Sequence, residues 1–158
     1  EHKAFEKKTK AYIDAFKQKR NDRDNIKFES SLRWQYIYVS LCNHCMYQLG
    51  LDIHEKAKDE TWTRFSVKNQ DGANILILSI INQANDKSIC VRFLNQDSTQ
   101  NDATSILASL QRVDAKFKSI GSWIGKIDLS KSLSDTDTFI IETKKLLTNV
   151  IAEISGLN

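Results

Sequence analysis

The sequence predicts an α+β domain in which an antiparallel sheet of three to four strands packs against helices, in the order α-α-β-β-β-α-β-α. Three observations carry this expectation. Apolar segments of strand length are separated by turn-forming NQDG and NQANDK between residues 62 and 95. Apolar residues recur at helical spacing near both ends of the chain. The 158 residues include no proline and only five glycines, four of which (Gly50, Gly72, Gly121, Gly156) fall where a periodic segment stops. The length predicts one domain over 1–158, because a three- to four-stranded meander needs helices to cover its apolar face.

The first element is a basic helix over 3–20. Phe5, Tyr12, Ile13 and Phe16 share one face, flanked by Ala4, Ala11 and Ala15, while Lys3, Lys7, Lys10 and Lys17 line the other. NDRDN then breaks the pattern. Residues 26–49 admit two periods. Leu32, Trp34, Tyr36 and Tyr38 alternate like a strand, whereas Trp34, Ile37/Tyr38, Leu41, Cys45 and Leu49 stack at helical spacing. More than twenty residues without glycine or proline favour an aromatic-rich, mostly buried helix ending at Gly50. Its polar strip carries Glu29, Arg33, Ser40, Asn43, His44 and Gln48.

A meander follows over 62–95. WTRFSVK places Trp62, Arg64, Ser66 and Lys68 on one face and Phe65 and Val67 on the other. ILILSII is apolar on both faces and is expected in the middle of the sheet. ICVRFL closes the meander, with Arg92 breaking one face. A helix over 102–120 is expected to bury Ile106, Leu110, Val113, Phe117 and Ile120 after an Asp102 cap. A short strand over 122–129 puts Trp123, Ile127 and Leu129 on one side. The last helix, 136–155, follows the S-D-T-D cap at 134–137 and turns Phe139, Ile140, Leu146, Leu147, Val150, Ile151 and Ile154 inward.

Composition narrows the function classes. No apolar run approaches the ~20 residues of a membrane helix, so no membrane association is expected. Three cysteines cannot all pair, and so sparse a set in a chain this long points to a reducing, cytoplasmic setting. The net charge of +3 is unevenly spread: residues 1–33 alone hold ten Lys/Arg against six Asp/Glu. The basic end suits phosphate or an acidic protein surface, and the plainer reading of such lysines is a solvated face.

Catalytic patterns are weak. Cys42-Asn-His-Cys45 has zinc-chelating spacing, but a structural zinc needs four ligands and no second pair exists. Core cysteines are the better reading, and no metal or cofactor is expected. Acid-x-Lys pairs of the nuclease type (Glu6/Lys8, Asp114/Lys116, Glu142/Lys144) all fall on expected helices, and none lies on a strand. No phosphate loop, nucleophile elbow or metalloprotease motif is present.

The W-x-x-F-S-V run Trp62 to Val67, the glycine at Gly72, the apolar strand, ICVRFL, Ser119-Ile120-Gly121 and the final amphipathic helix resemble an uncharacterised prokaryotic family. It is an α+β domain often attached to PD-(D/E)XK-type nuclease modules. The resemblance spans roughly residues 60–155 and implies an accessory module in a restriction or defence setting, without functional residues to carry over. A second, topological similarity is to type III secretion chaperones, which also wrap helices on a small antiparallel sheet.

The function expected first is therefore a non-catalytic binding or accessory domain with DNA or RNA as charged partner. Lys3, Lys7, Lys10, Lys17, Arg20 and Arg23 would hold phosphates, and Trp62, Arg64 and Lys68 would offer a second, aromatic-bearing patch. Packing under a helix is the plainer expectation for Trp62. The alternatives are a chaperone-like protein-interaction or dimerisation domain docking through the first helix, onto a second copy or a parent nuclease domain, and an unrecognised enzyme. A polar pocket converging on His44, Arg33 or Cys45 would favour the last.

Overall fold

The chain is described by a computed structural model that covers residues 7, 10, 26–83, 88–95, 103–130 and 136–156; the side chains of 26–32 and 130 are left aside. Helix α1 (Ile26–Asn43) runs into a π-helical turn (His44–Gln48). Four strands follow: β1 (Asp52–Lys56), β2 (Trp62–Lys68), β3 (Asn74–Gln83) and β4 (Ser88–Asn95). Then come α2 (Ala103–Val113), β5 (Lys118–Ile120), β6 (Trp123–Ser130) and α3 (Thr136–Ser155). The strands form one antiparallel sheet in the order β1-β2-β3-β4-β6-β5.

The α+β class holds, but the sheet has six strands where the sequence predicted three to four. The element order differs accordingly. Both extra strands are edges that lack a burial signal. In β1, four of five residues are exposed, so no alternation marks it. In β5 all three residues are exposed, and Phe117 and Ile120 happen to continue the helical spacing of α2. The helix expected over 102–120 therefore stops at Val113. A turn replaces its last part, with the Phe117 N–H donating to the Asp114 carbonyl and the Lys116 N–H to the Asp114 carboxylate. Phe117 is fully buried by that turn, while Ile120 is 49% exposed. Asp114/Lys116 thus lies in a turn and not on a helix.

The ambiguous segment is helical. Trp34, Ile37, Tyr38, Leu41, Cys42 and Cys45 are all buried, which is the expected helical stripe. The π turn shows in the Leu49 N–H bonding to the His44 carbonyl, five residues back, and Gly50 then takes a left-handed φ of 66° that leaves the helix without a Cβ clash. Of the first expected helix, only Lys7 and Lys10 are described; both are helical and exposed.

All three described helices lie against one face of the sheet. That face presents Thr63, Phe65 and Val67 from β2, Leu76, Leu78 and Ile80 from β3, and Ile89, Val91 and Phe93 from β4, all buried. Helix α1 reaches it through the Tyr38 hydroxyl, hydrogen-bonded to Thr63, and through Gln35, which accepts from the Asn82 amide. Trp34 meets Phe139 of α3 edge to face at 6.2 Å. Helix α2 comes so close to β6 that a Cβ on Gly125 would stand 2.3 Å from the Leu110 methyl. That contact, not a turn, accounts for a glycine inside a strand. The last helix buries Ile140, Leu147, Val150, Ile151 and Ile154 as expected, with Phe139 and Leu146 half-buried beside them.

Candidate nucleic-acid interface

Antiparallel register brings one residue from each strand into line on the opposite face. Glu55 of β1 pairs with Arg64 of β2, Arg64 with Ser79 of β3, Ser79 with Arg92 of β4, Arg92 with Lys126 of β6, and Lys126 with Lys118 of β5. A single row across the whole sheet thus reads acid, cation, hydroxyl, cation, cation, cation. Neighbouring strands lie about 4.8 Å apart, so Arg64 and Arg92 stand roughly 10 Å apart across Ser79. Ser79 is 1% exposed between them.

Two tryptophans flank the row. The Arg64 guanidinium lies 4.7 Å from the Trp62 ring centre and 5.9 Å from that of Trp123, and the Arg92 guanidinium lies 5.1 Å from Trp123. Both rings are half-buried, leaving part of each accessible. Trp123 was expected beside Ile127 and Leu129. It comes out with the arginines because Ile124 and Gly125, adjacent in sequence, are both buried, which slips the alternation by one residue.

Charge on this face is only partly neutralised. Glu55 stands 3.5 Å from Arg64, Asp128 stands 3.4 Å from Lys126, and Asp52 stands 3.7 Å from Lys68. Each of these pairs is at least partly solvated and contributes at most about 1 kcal/mol, so an incoming anion can replace its carboxylate. The Nε atoms of Arg64 and Arg92 are buried and have no hydrogen-bond partner. Being buried, they are closed to solvent, and contact with a phosphate falls to the terminal NH groups of the two guanidinium forks.

Of the residues singled out from sequence, Trp62 and Arg64 are brought together, with Trp62 covered by a guanidinium and not by a described helix. Lys68 lies two positions farther along the same strand face and is occupied by Asp52. Lys7 and Lys10 are exposed on helix; Lys3, Lys17, Arg20 and Arg23 lie outside the described residues. Sequence reasoning missed Arg92, Trp123, Lys126 and Lys118 as a group. A lone arginine within ICVRFL was the one available signal.

The cysteines have no comparable arrangement. Cys42 and Cys45 are fully buried; burial pushes the Cys42 thiol up to about 12 and the Cys45 thiol well above its ordinary value. Burial raises Cys90 to about 11. Protonated thiols are poor nucleophiles and poor metal ligands. Among the described residues, no three His, Cys, Asp or Glu side chains are grouped to hold a metal ion. No described helix is long and apolar enough to cross a membrane. His54 is exposed on β1.

No family model matches the chain, and neither the curated proteins nor the solved structures compared with it give a match.

Proposed function

We propose that the protein is a non-catalytic nucleic-acid-binding module, accessory to a larger activity, that takes a single strand across the sheet face opposite α1, α2 and α3. The observation that carries this reading is the cross-sheet row Arg64, Arg92, Lys126 and Lys118 with Trp62 and Trp123 beside it. Cations supply sequence-independent affinity for phosphates, and exposed aromatic faces stack bases of any identity. A single strand fits this geometry better than a duplex. Duplex grooves are read by a protruding helix or ribbon, and α1, α2 and α3 are all committed to the other face. Double-stranded stacks also hide their base faces from Trp62 and Trp123.

Salt dependence tests the reading. Because an incoming anion can replace the carboxylates beside Arg64 and Lys126, all four cations of the row, Arg64, Arg92, Lys126 and Lys118, count as phosphate contacts. Four contacts at ~0.7 each give a slope of about −3 for log K against log salt on a single strand. Fluorescence anisotropy with a labelled single-stranded oligonucleotide reads it directly, and a flat response overturns the proposal. Charge reversal of Lys7 and Lys10 separates the two basic surfaces: it is expected to leave at least half of that slope in place.

A further inference from the structure

The polar strip of α1 ends in a cleft. Ser40, Asn43, His44 and Gln48 form one wall with Tyr47, and Ile140 and Lys144 of α3 form the other, around a volume of about 220 Å³. We propose that this cleft binds a monoprotonated tetrahedral oxyanion of the phosphate class, at a site separate from the sheet face.

Size, charge and proton inventory lead to this ligand. At about 30 Å³ per water, the cleft holds about seven waters, enough for inorganic phosphate or a small phosphate monoester. Among the described lining residues Lys144 is the one charged side chain, which makes their contribution cationic. The π turn shapes the first wall, and such insertions are frequent at functional sites.

The proton inventory is the selective feature. The Thr148 hydroxyl donates to the Lys144 carbonyl at 2.8 Å, so its oxygen accepts from His44 Nε2–H at 3.0 Å. That fixes the tautomer and leaves Nδ1 as an acceptor. His44 stays neutral because burial, and then the Lys144 charge, hold its pKa below the ordinary 6.5. The site therefore offers a cation and hydroxyl or amide donors together with one acceptor, His44 Nδ1, that needs a proton. Hydrogen phosphate carries both charge and an O–H; sulfate at neutral pH has the same shape and charge without the proton.

The decisive experiment titrates the ¹⁵N-labelled chain with inorganic phosphate, and separately with sulfate, at matched ionic strength and neutral pH. Saturable shifts at Ser40, Asn43, His44 and Lys144 are expected, with a phosphate Kd on the order of 1 mM and sulfate at least about tenfold weaker. Glycerol phosphate in a third arm, mostly without its phosphate proton at neutral pH because its second pKa is about 6, is expected to bind more weakly than phosphate, and tighter binding would overturn the proton argument. Lys144→Gln is expected to weaken phosphate at least about tenfold, as is Gln48→Glu, which adds a carboxylate to an exposed position and so preserves the fold. Lys145→Gln, its exposed neighbour, should change nothing. Equal response to phosphate and sulfate, shifts confined to Arg64, Arg92 and Lys126, or unchanged affinity in both cleft variants would overturn the proposal. The sheet-face result would do so while leaving the nucleic-acid reading intact.

Discussion

Trp34→Ala is expected to lower the free energy of unfolding by about 3–5 kcal/mol, as measured by urea denaturation with the slope unchanged. The magnitude follows from position. Trp34 is 2% exposed, part of the buried cluster that joins α1 to the sheet, and edge-on to Phe139 at 6.2 Å. Truncation removes the transfer energy of a large ring and leaves a cavity between two helices that Tyr38, tied to Thr63, cannot move to fill. A total stability of ~5–15 kcal/mol makes such a loss severe. Phe139→Ala should cost less, since Phe139 is only half-buried, and the double variant should show about 0.5–1.5 kcal/mol of coupling. A loss below about 1 kcal/mol for Trp34→Ala would mean that α1 is not anchored through this ring.

The second large effect falls on binding. Arg92→Ala is expected to weaken single-stranded oligonucleotide binding at least about tenfold, since a charge-assisted hydrogen bond contributes about 1.5–3 kcal/mol. Arg92 stands near the centre of the row and lies 5.1 Å from the Trp123 ring. Arg92→Lys keeps the charge but loses the flat fork and its stacking, so it should recover only part of the affinity. Arg112→Ala is the matched control. It removes an arginine that already pairs with Glu153 of α3, on the helical side of the molecule, and should leave binding unchanged. Equal losses for Arg92 and Arg112 would reduce the effect to net charge alone.

How far the sequence was legible depended on burial. The last helix has one wet and one dry face and carries the period that burial imposes, while the central ILILSII strand and the 34–45 stretch, buried nearly all round, were legible from largely apolar runs without glycine or proline. Elements exposed on both faces carry no period, and β1 and β5 were missed for that reason. The site was half legible. Trp62 and Arg64 share one strand, so their proximity follows from two-residue spacing. Arg92, Lys126 and Lys118 join them only through register, which depends on which strands pair, and Trp123 joins only through a slipped alternation. The cleft divides the same way. Its α1 wall is the polar strip read from spacing, whereas the meeting with Lys144 depends on how α3 packs.

The nucleic-acid reading is tested most directly by titrating the labelled chain with a short single-stranded oligonucleotide and following the tryptophan indole and arginine Nε–H signals by NMR. Trp62, Trp123, Arg64 and Arg92 are expected to shift together and saturate with one midpoint. The indole of Trp34, sealed in the core, should stay in place. Shifts confined to Lys7 and Lys10, or a saturating complex that leaves Trp62 and Trp123 untouched, would contradict the assignment of the sheet face.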